Sequence, residues 1–154
     1  MPSAGPHNAP AAIRVGPGSW SIEEIRRAPT QGFQRLLGLE LREVRPDCVS
    51  AVVRIGPQHL NSVGFVHGGV LLALADSLGA MGALQHLAAD QRTATLESKA
   101  NFIRPAGGSL VEARCTPLHV GRRTSVWQTT IESDSGRMVA SVTQTQLHFS
   151  DGPA

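Results

Sequence analysis

Residues 61–87 read NSVGFVHGGVLLALADSLGAMGALQHL, and this stretch decides the fold. From His67 onward, Val70, Leu71, Leu74, Leu78, Met81 and Leu84 form an apolar stripe at helical spacing. Ala73, Ala75, Ala80 and Ala83 cover much of the remaining surface. The spacing predicts a helix over about residues 67–87 that is apolar nearly all round, the mark of a buried helix. Asp76 in its middle, with Gly79 and Gly82 beyond it, argues against a membrane span. In a chain of 154 residues, something large must wrap this helix.

The flanking sequence supplies the wrapper. Residues 92–104, 109–118, 124–133 and 137–149 are rich in Thr, Val and Ser, and read as strands. Pro105-Ala106-Gly107-Gly108, Val120-Gly121 and Ser133-Asp134-Ser135-Gly136 separate them, short enough for antiparallel hairpins. On the other side, residues 39–44 read as a short strand. In the next segment Val49, Ala51, Val53 and Ile55 alternate with Ser50, Val52 and Arg54. A short helix is expected over about residues 21–34, with Ser21 as N-cap and Glu23 and Glu24 in the first turn. The expected class is therefore α+β: an antiparallel sheet of five to six strands wrapped around one long central helix. Residues 1–18, with four prolines and little to bury, read as a disordered leader, and residues 19–150 as a single domain.

Composition excludes several functions. The formal net charge is only +2, and the basic residues are scattered rather than clustered, so no nucleic-acid partner is expected. Cys48 and Cys115 form no CxxC pair, and the six histidines lack ligand-like spacing, so no metal site is expected. No G-x-S-x-G motif occurs. The N-terminus lacks the apolar core of a signal peptide, and a cytoplasmic protein with two incidental thiols is expected.

Chemistry concentrates in Asn61, His67-Gly68-Gly69 and Asp76. A carboxylate buried among Leu and Ala is costly unless it has a task, so Asp76 reads as functional. Two glycines at a helix start are poor caps, but they let another group approach the backbone closely. Bare N–H groups there attract negative charge, such as the oxyanion formed when a thioester carbonyl is attacked. His67 and Asp76 are nine positions apart, about half a turn out of phase and about 13 Å along the axis. Both can act on one carbonyl only if two antiparallel copies of the helix meet, which predicts a dimer with two composite sites.

The spacing N-x5-HGG-x6-D from Asn61 to Asp76 resembles the acyl-CoA thioesterases of the hotdog superfamily, most of all their phenylacetate-degradation (PaaI-like) branch. The likeness extends over about residues 33–149, strand order included. It implies a dimer or a dimer of dimers, and an acyl-CoA substrate with no cofactor. It also implies Asp76 as nucleophile or general base, and the Gly68 N–H polarising the carbonyl with Gly69 beside it. Asn61 and His67 would position loop and substrate. Thr95 falls where the family often carries a hydroxyl that orients water or carboxylate. Arg104, Arg122 and Arg123, at strand ends, match an arrangement near the family's nucleotide-binding edge and would meet coenzyme A phosphates. The alternative on the same fold is a non-catalytic protein that binds acyl-CoA or an aromatic ligand. A hotdog hydratase is disfavoured by the half-turn offset within one chain.

Overall fold

The computed structural model describes residues 18–150. The expected leader lies outside them apart from Gly18, whose N–H donates to the Gln91 carbonyl at 2.7 Å. Three helices are described, α1 (Ile22–Arg27), α2 (Gly32–Leu36) and α3 (Gly68–Leu84). Six strands accompany them: β1 (Leu39–Arg45), β2 (Cys48–Arg54), β3 (Gln91–Phe102), β4 (Leu110–Val120), β5 (Thr124–Ser133) and β6 (Met138–Ser150). Every pairing is antiparallel, in the order β1-β2-β4-β5-β6-β3. The sheet curls around α3, the hotdog arrangement that the sequence predicts.

Local chemistry explains the boundaries. Ser21 caps α1 through a capping box: its hydroxyl accepts from the Glu24 N–H, and the Glu24 carboxylate accepts from the Ser21 N–H. The single helix expected over residues 21–34 is instead split by a 3-10 turn at Ala28–Thr30, because Pro29 has no N–H to continue the ladder. The central helix begins one residue later than expected, with His67 as its N-cap, and ends at Leu84.

Strand order departs from the hairpin expectation at one point. β3 does not turn back onto β4; it pairs with β6 at the far edge, and β4 pairs with β2. The link over residues 103–109 therefore crosses the ends of β5 and β6. It is pinned by Ile103 N–H to the Val139 carbonyl at 2.8 Å and Val66 N–H to the Ala106 carbonyl at 2.9 Å. At its far end the Asp134 carboxylate accepts from the Ser109 N–H at 2.8 Å and from its hydroxyl at 3.1 Å. Those two donors hold Asp134 below the usual carboxylate range.

A bulge at Leu96 shapes the edge strand. Thr95 lies opposite Gln146, but the next pair is Glu97 with Thr145, so Leu96 has no opposite number. Thr93 and Thr95 thus lie opposite the core-facing His148 and Gln146, while beyond the bulge it is Ser98, Ala100 and Phe102 that lie opposite Gln144, Val142 and Ala140.

The core lies between α3 and the sheet. Leu71, Leu74, Ala75, Leu78 and Met81 face Val49, Val53, Val111, Trp127, Ile131 and Val142, all buried. Two glycines let α3 sit close to the sheet. A Cβ on Gly82 would come within 2.6 Å of the Trp127 ring, and one on Gly79 would occupy the place of the Gln144 amide.

Buried polar groups on the helix side of the sheet are wired together. The Trp127 indole N–H donates to Ser125 Oγ at 2.8 Å, and the same hydroxyl is hydrogen-bonded to His148 Nε2 at 2.9 Å. Burial, reinforced by nearby His86, pushes the His148 imidazole below its ordinary value of 6.5. The unfolded chain then binds this proton more readily than the folded one. Stability should accordingly be full above about pH 6.5 and fall as the pH drops below it. The lowered carboxylates Glu24, Glu43 and Asp134 contribute a further loss only below about pH 4.5. Thermal melting between pH 8 and pH 5 should show the decline, and His148→Gln should flatten it; a wild-type curve flat across pH 6.5–5 contradicts this account.

Candidate functional site

The start of α3 is built from backbone. His67 has extended backbone, and its Nδ1 accepts from the Gly69 N–H at 2.9 Å, so the ring proton resides on Nε2. The Val70 N–H donates to the His67 carbonyl at 2.9 Å. Among the described residues, the Gly68 N–H has no intramolecular acceptor. It lies at the positive end of the helix dipole, where a developing negative charge is stabilised. Both glycines lie close against neighbouring side chains. A Cβ on Gly68 would meet the Phe102 ring at 3.0 Å, and one on Gly69 would meet His67 Nδ1 at 2.9 Å.

Asn61 organises the approach to this helix start. Its Oδ1 accepts from the Val63 N–H at 3.0 Å and the Phe65 N–H at 3.1 Å, while its own N–H donates to the Phe65 carbonyl at 2.7 Å. The closed loop presents Phe65 and Val66 to a largely apolar pocket of about 350 Å³, which Leu71, Phe102, Ile103, Arg104 and the Gly68 backbone also line.

Asp76 and Thr95 lie elsewhere. Asp76 Oδ1 accepts from the Thr95 hydroxyl at 2.9 Å, and neither residue lines the pocket at Gly68. The carboxylate expected to be buried is only half-buried in the single chain, and Thr95 is exposed. The physical reason is that the sheet leaves one stripe of α3 uncovered: Gly69, Leu72, Ala73, Asp76 and Ala80, spaced as one helix face. One straight helix therefore keeps the Gly68 amide and the Asp76 carboxylate about 12 Å apart along its axis.

The arginines also separate. Arg104 donates to the Met138 carbonyl at 2.8 Å, beside a cleft shared with Arg137 and Asp134. Arg122 and Arg123 are exposed in the turn between β4 and β5, where their carbonyls accept from the Gln91 side chain and the His148 N–H. The length of β3 divides the two groups, roughly 35 Å. The single nucleotide-binding edge expected from sequence does not form within one chain.

Sequence reading missed Gln144 and Gln146. Both are fully buried on β6, facing α3, and both bond to the Asp76 neighbourhood. The signal was available: in Val142-Thr143-Gln144-Thr145-Gln146, the alternation puts two amides on the same face as a core valine. Among the described residues, no group of three or more His, Cys, Asp or Glu gathers as a metal would require, and no helix is long and apolar enough to cross a membrane.

Comparison with known proteins gives a consistent picture. A family model described as the thioesterase superfamily matches residues 63–140. The 1,4-dihydroxy-2-naphthoyl-CoA hydrolase of Escherichia coli is 30% identical over 121 residues, covering 79% of this chain and 89% of that protein. The proofreading thioesterase EntH of Cronobacter turicensis is 30% identical over 117 residues, covering 76% and 85%. A crystal structure of a thioesterase from Haemophilus influenzae superposes with a TM-score of 0.78 at 25% identity, covering 86% of this chain and 92% of that one.

Neither cysteine is suited to nucleophilic chemistry. Burial and the neighbouring Glu43 carboxylate push the Cys48 thiol up to about 11, and burial pushes Cys115 up to about 12. The thiolate is the reactive form, so both thiols are inert at neutral pH. A chromogenic disulfide reagent should titrate no thiol in the native protein and both after denaturation; rapid native reaction of either contradicts the burial described here.

Proposed function

This chain belongs to the thioesterase superfamily, and from that premise we propose that it hydrolyses an acyl-CoA thioester at a site completed by a second copy of the chain. The carrying observation is the separation of the free Gly68 N–H from the Asp76 carboxylate along one helix. Neither half alone can both hold and attack a carbonyl.

Two copies resolve this. The uncovered stripe of α3 is lined mainly by Gly69, Ala73 and Ala80, small enough for a second α3 to approach closely. β3 is an edge strand with free backbone positions and an exposed Leu96, so the same side of the chain offers a sheet edge for pairing. An antiparallel arrangement brings Asp76 of one copy toward His67 and Gly68 of the other. It also brings the Arg122-Arg123 turn of one copy toward Arg104 of the other, which would gather the arginines around the coenzyme A phosphates.

In this arrangement the Gly68 N–H donates to the thioester oxygen and stabilises the charge that develops there. Asp76 of the partner copy either attacks the carbonyl carbon, expelling the thiolate to leave an acyl-aspartyl anhydride that water then cleaves, or takes a proton from the water that attacks, and the thiolate departs. Asn61 and His67 hold the loop and the helix start in place. The pocket lined by Phe65, Leu71, Phe102 and Ile103 favours an apolar or aryl acyl group. The motif spacing supports membership of the phenylacetate-degradation branch. That the Escherichia coli relative is named for an aryl-CoA substrate supports an aryl acyl group. A non-catalytic binding protein would have little use for a carboxylate held by a directed hydroxyl.

The purified protein should release thiol from at least one member of a panel of aryl, short and medium acyl-CoAs, with chelator having no effect. Silence across the panel favours the binding-protein reading. Asp76→Asn should fold and lose about 10²–10⁴ in turnover; retention of more than a tenth removes Asp76 from the chemistry.

Composite geometry has its own test. Gly68→Pro deletes the proposed oxyanion donor at the first helical position, where proline is compatible with the backbone. Refolding a mixture of Gly68→Pro and Asp76→Asn chains should recover about a quarter of wild-type activity, since half the dimers are mixed and each holds one intact site of two. Each mutant refolded alone should stay inactive. No recovery, with mixed dimers confirmed by mass, assigns all these residues to one chain.

A further inference from the structure

We propose that Gln146 is a positioning residue that directs the Thr95 hydroxyl onto Asp76, so that a hydrogen-bond relay from β6 through β3 sets the orientation of the carboxylate. This rests on the reading of Asp76 as the reacting group.

Polarity of the network carries the inference. The Thr93 hydroxyl donates to Gln146 Oε1 at 3.1 Å, which fixes the amide with its NH₂ end toward Thr95. Gln146 Nε2 then donates to Thr95 Oγ1 at 2.8 Å. A hydroxyl has one proton, and here the oxygen is already occupied by a donated hydrogen. Its own proton is directed along the remaining contact, to Asp76 Oδ1 at 2.9 Å. An ionised carboxylate is acceptor-only, so the relay Thr93 to Gln146 to Thr95 to Asp76 is matched to that form at its end. It engages Oδ1 and leaves Oδ2 for reaction.

Gln144, two residues earlier on the same face of β6, acts on the other end of the same residue. Its Nε2 donates to the Asp76 main-chain carbonyl at 3.3 Å, and the missing side chain of Gly79 gives its amide room. One strand therefore holds Asp76 by its backbone directly and by its carboxylate through Thr95.

Placement argues against a purely architectural role. Both glutamines are 0% exposed at positions where alternation calls for apolar side chains. Burying an amide costs free energy that a valine or leucine would not. The network also ends at an exposed hydroxyl on the uncovered side of α3, where a substrate and a second chain would arrive, rather than closing on itself inside the core.

The test uses Gln146→Met, which keeps length but cannot donate, together with Thr95→Val, the double variant, Thr93→Val and Asp76→Asn. kcat and KM are measured with whichever acyl-CoA of the panel is turned over fastest. Gln146→Met should lower kcat about tenfold at unchanged KM, the scale of coupling within one hydrogen-bond network. In the Thr95→Val background Gln146→Met should cost nothing further. Thr93→Val frees the amide to turn and should lower kcat by less, again at unchanged KM, which keeps the question answerable if Gln146→Met does not fold.

A folded Gln146→Met with full kcat overturns the proposal. So does an equal loss on both Thr95 backgrounds, which is the signature of a merely structural residue. If Gln146→Met does not fold, full kcat in Thr93→Val overturns it as well. An active Asp76→Asn fails differently: it overturns the assignment of Asp76 itself, and the relay with it, whatever the Gln146 variants do.

Discussion

A six-stranded sheet covers only part of a helix's circumference, and the rest of this structure depends on which part of α3 it leaves open. The covered side carries Leu71, Leu74, Leu78 and Met81, with Gly79 and Gly82 admitting Gln144 and Trp127. The open side carries Gly69, Ala73, Asp76 and Ala80. A helix so apolar would ordinarily be enclosed. Here the residue that breaks the apolar run is the ionisable one, and it sits on the open side. On the proposed reading, burying that side and completing the site call on the same partner surface.

Much of the layout was legible in the sequence, because periodicity reports which residues share a face. The buried helix and the sequence of elements along the chain follow from spacing and residue type, which also single out Asn61, His67, Gly68 and Asp76 as candidates. Neighbour relations across the sheet did not follow. Nothing in residues 103–109 says that the chain crosses the ends of two strands instead of forming a hairpin, because a short turn-rich link satisfies either path. The arginines illustrate the same limit. Arg104 and Arg122 both stand at strand ends in the sequence, but only the strand order reveals that these are opposite ends of the sheet.

The exposure of Asp76 was misjudged for a related reason. Its sequence neighbours are apolar, and sequence neighbours on a helix point in every direction. What matters is the residues three and four positions away, and of those Leu72, Ala73 and Ala80 are half-buried while Gly79 packs against Gln144 of the sheet. Gln144 and Gln146 could have been suspected, since they interrupt the apolar face of β6. Their target could not, because Thr95 comes opposite Gln146 only through the pairing of β3 with β6.

That pairing contains the bulge at Leu96, which acts on β3 as a phase shift. An unbroken strand has one inward parity, so aiming Thr93 and Thr95 at the helix would turn Ser98, Ala100 and Phe102 to the outside. The extra residue lets one strand serve two clients: the threonines attend the carboxylate, and Phe102, seven residues beyond Thr95, walls the pocket at the helix start. The length of β3 is therefore not freely adjustable. Losing or gaining a single residue between Thr95 and Ser98 would leave both halves of the strand intact as β-structure, yet put them out of step, with one half-site facing the wrong way.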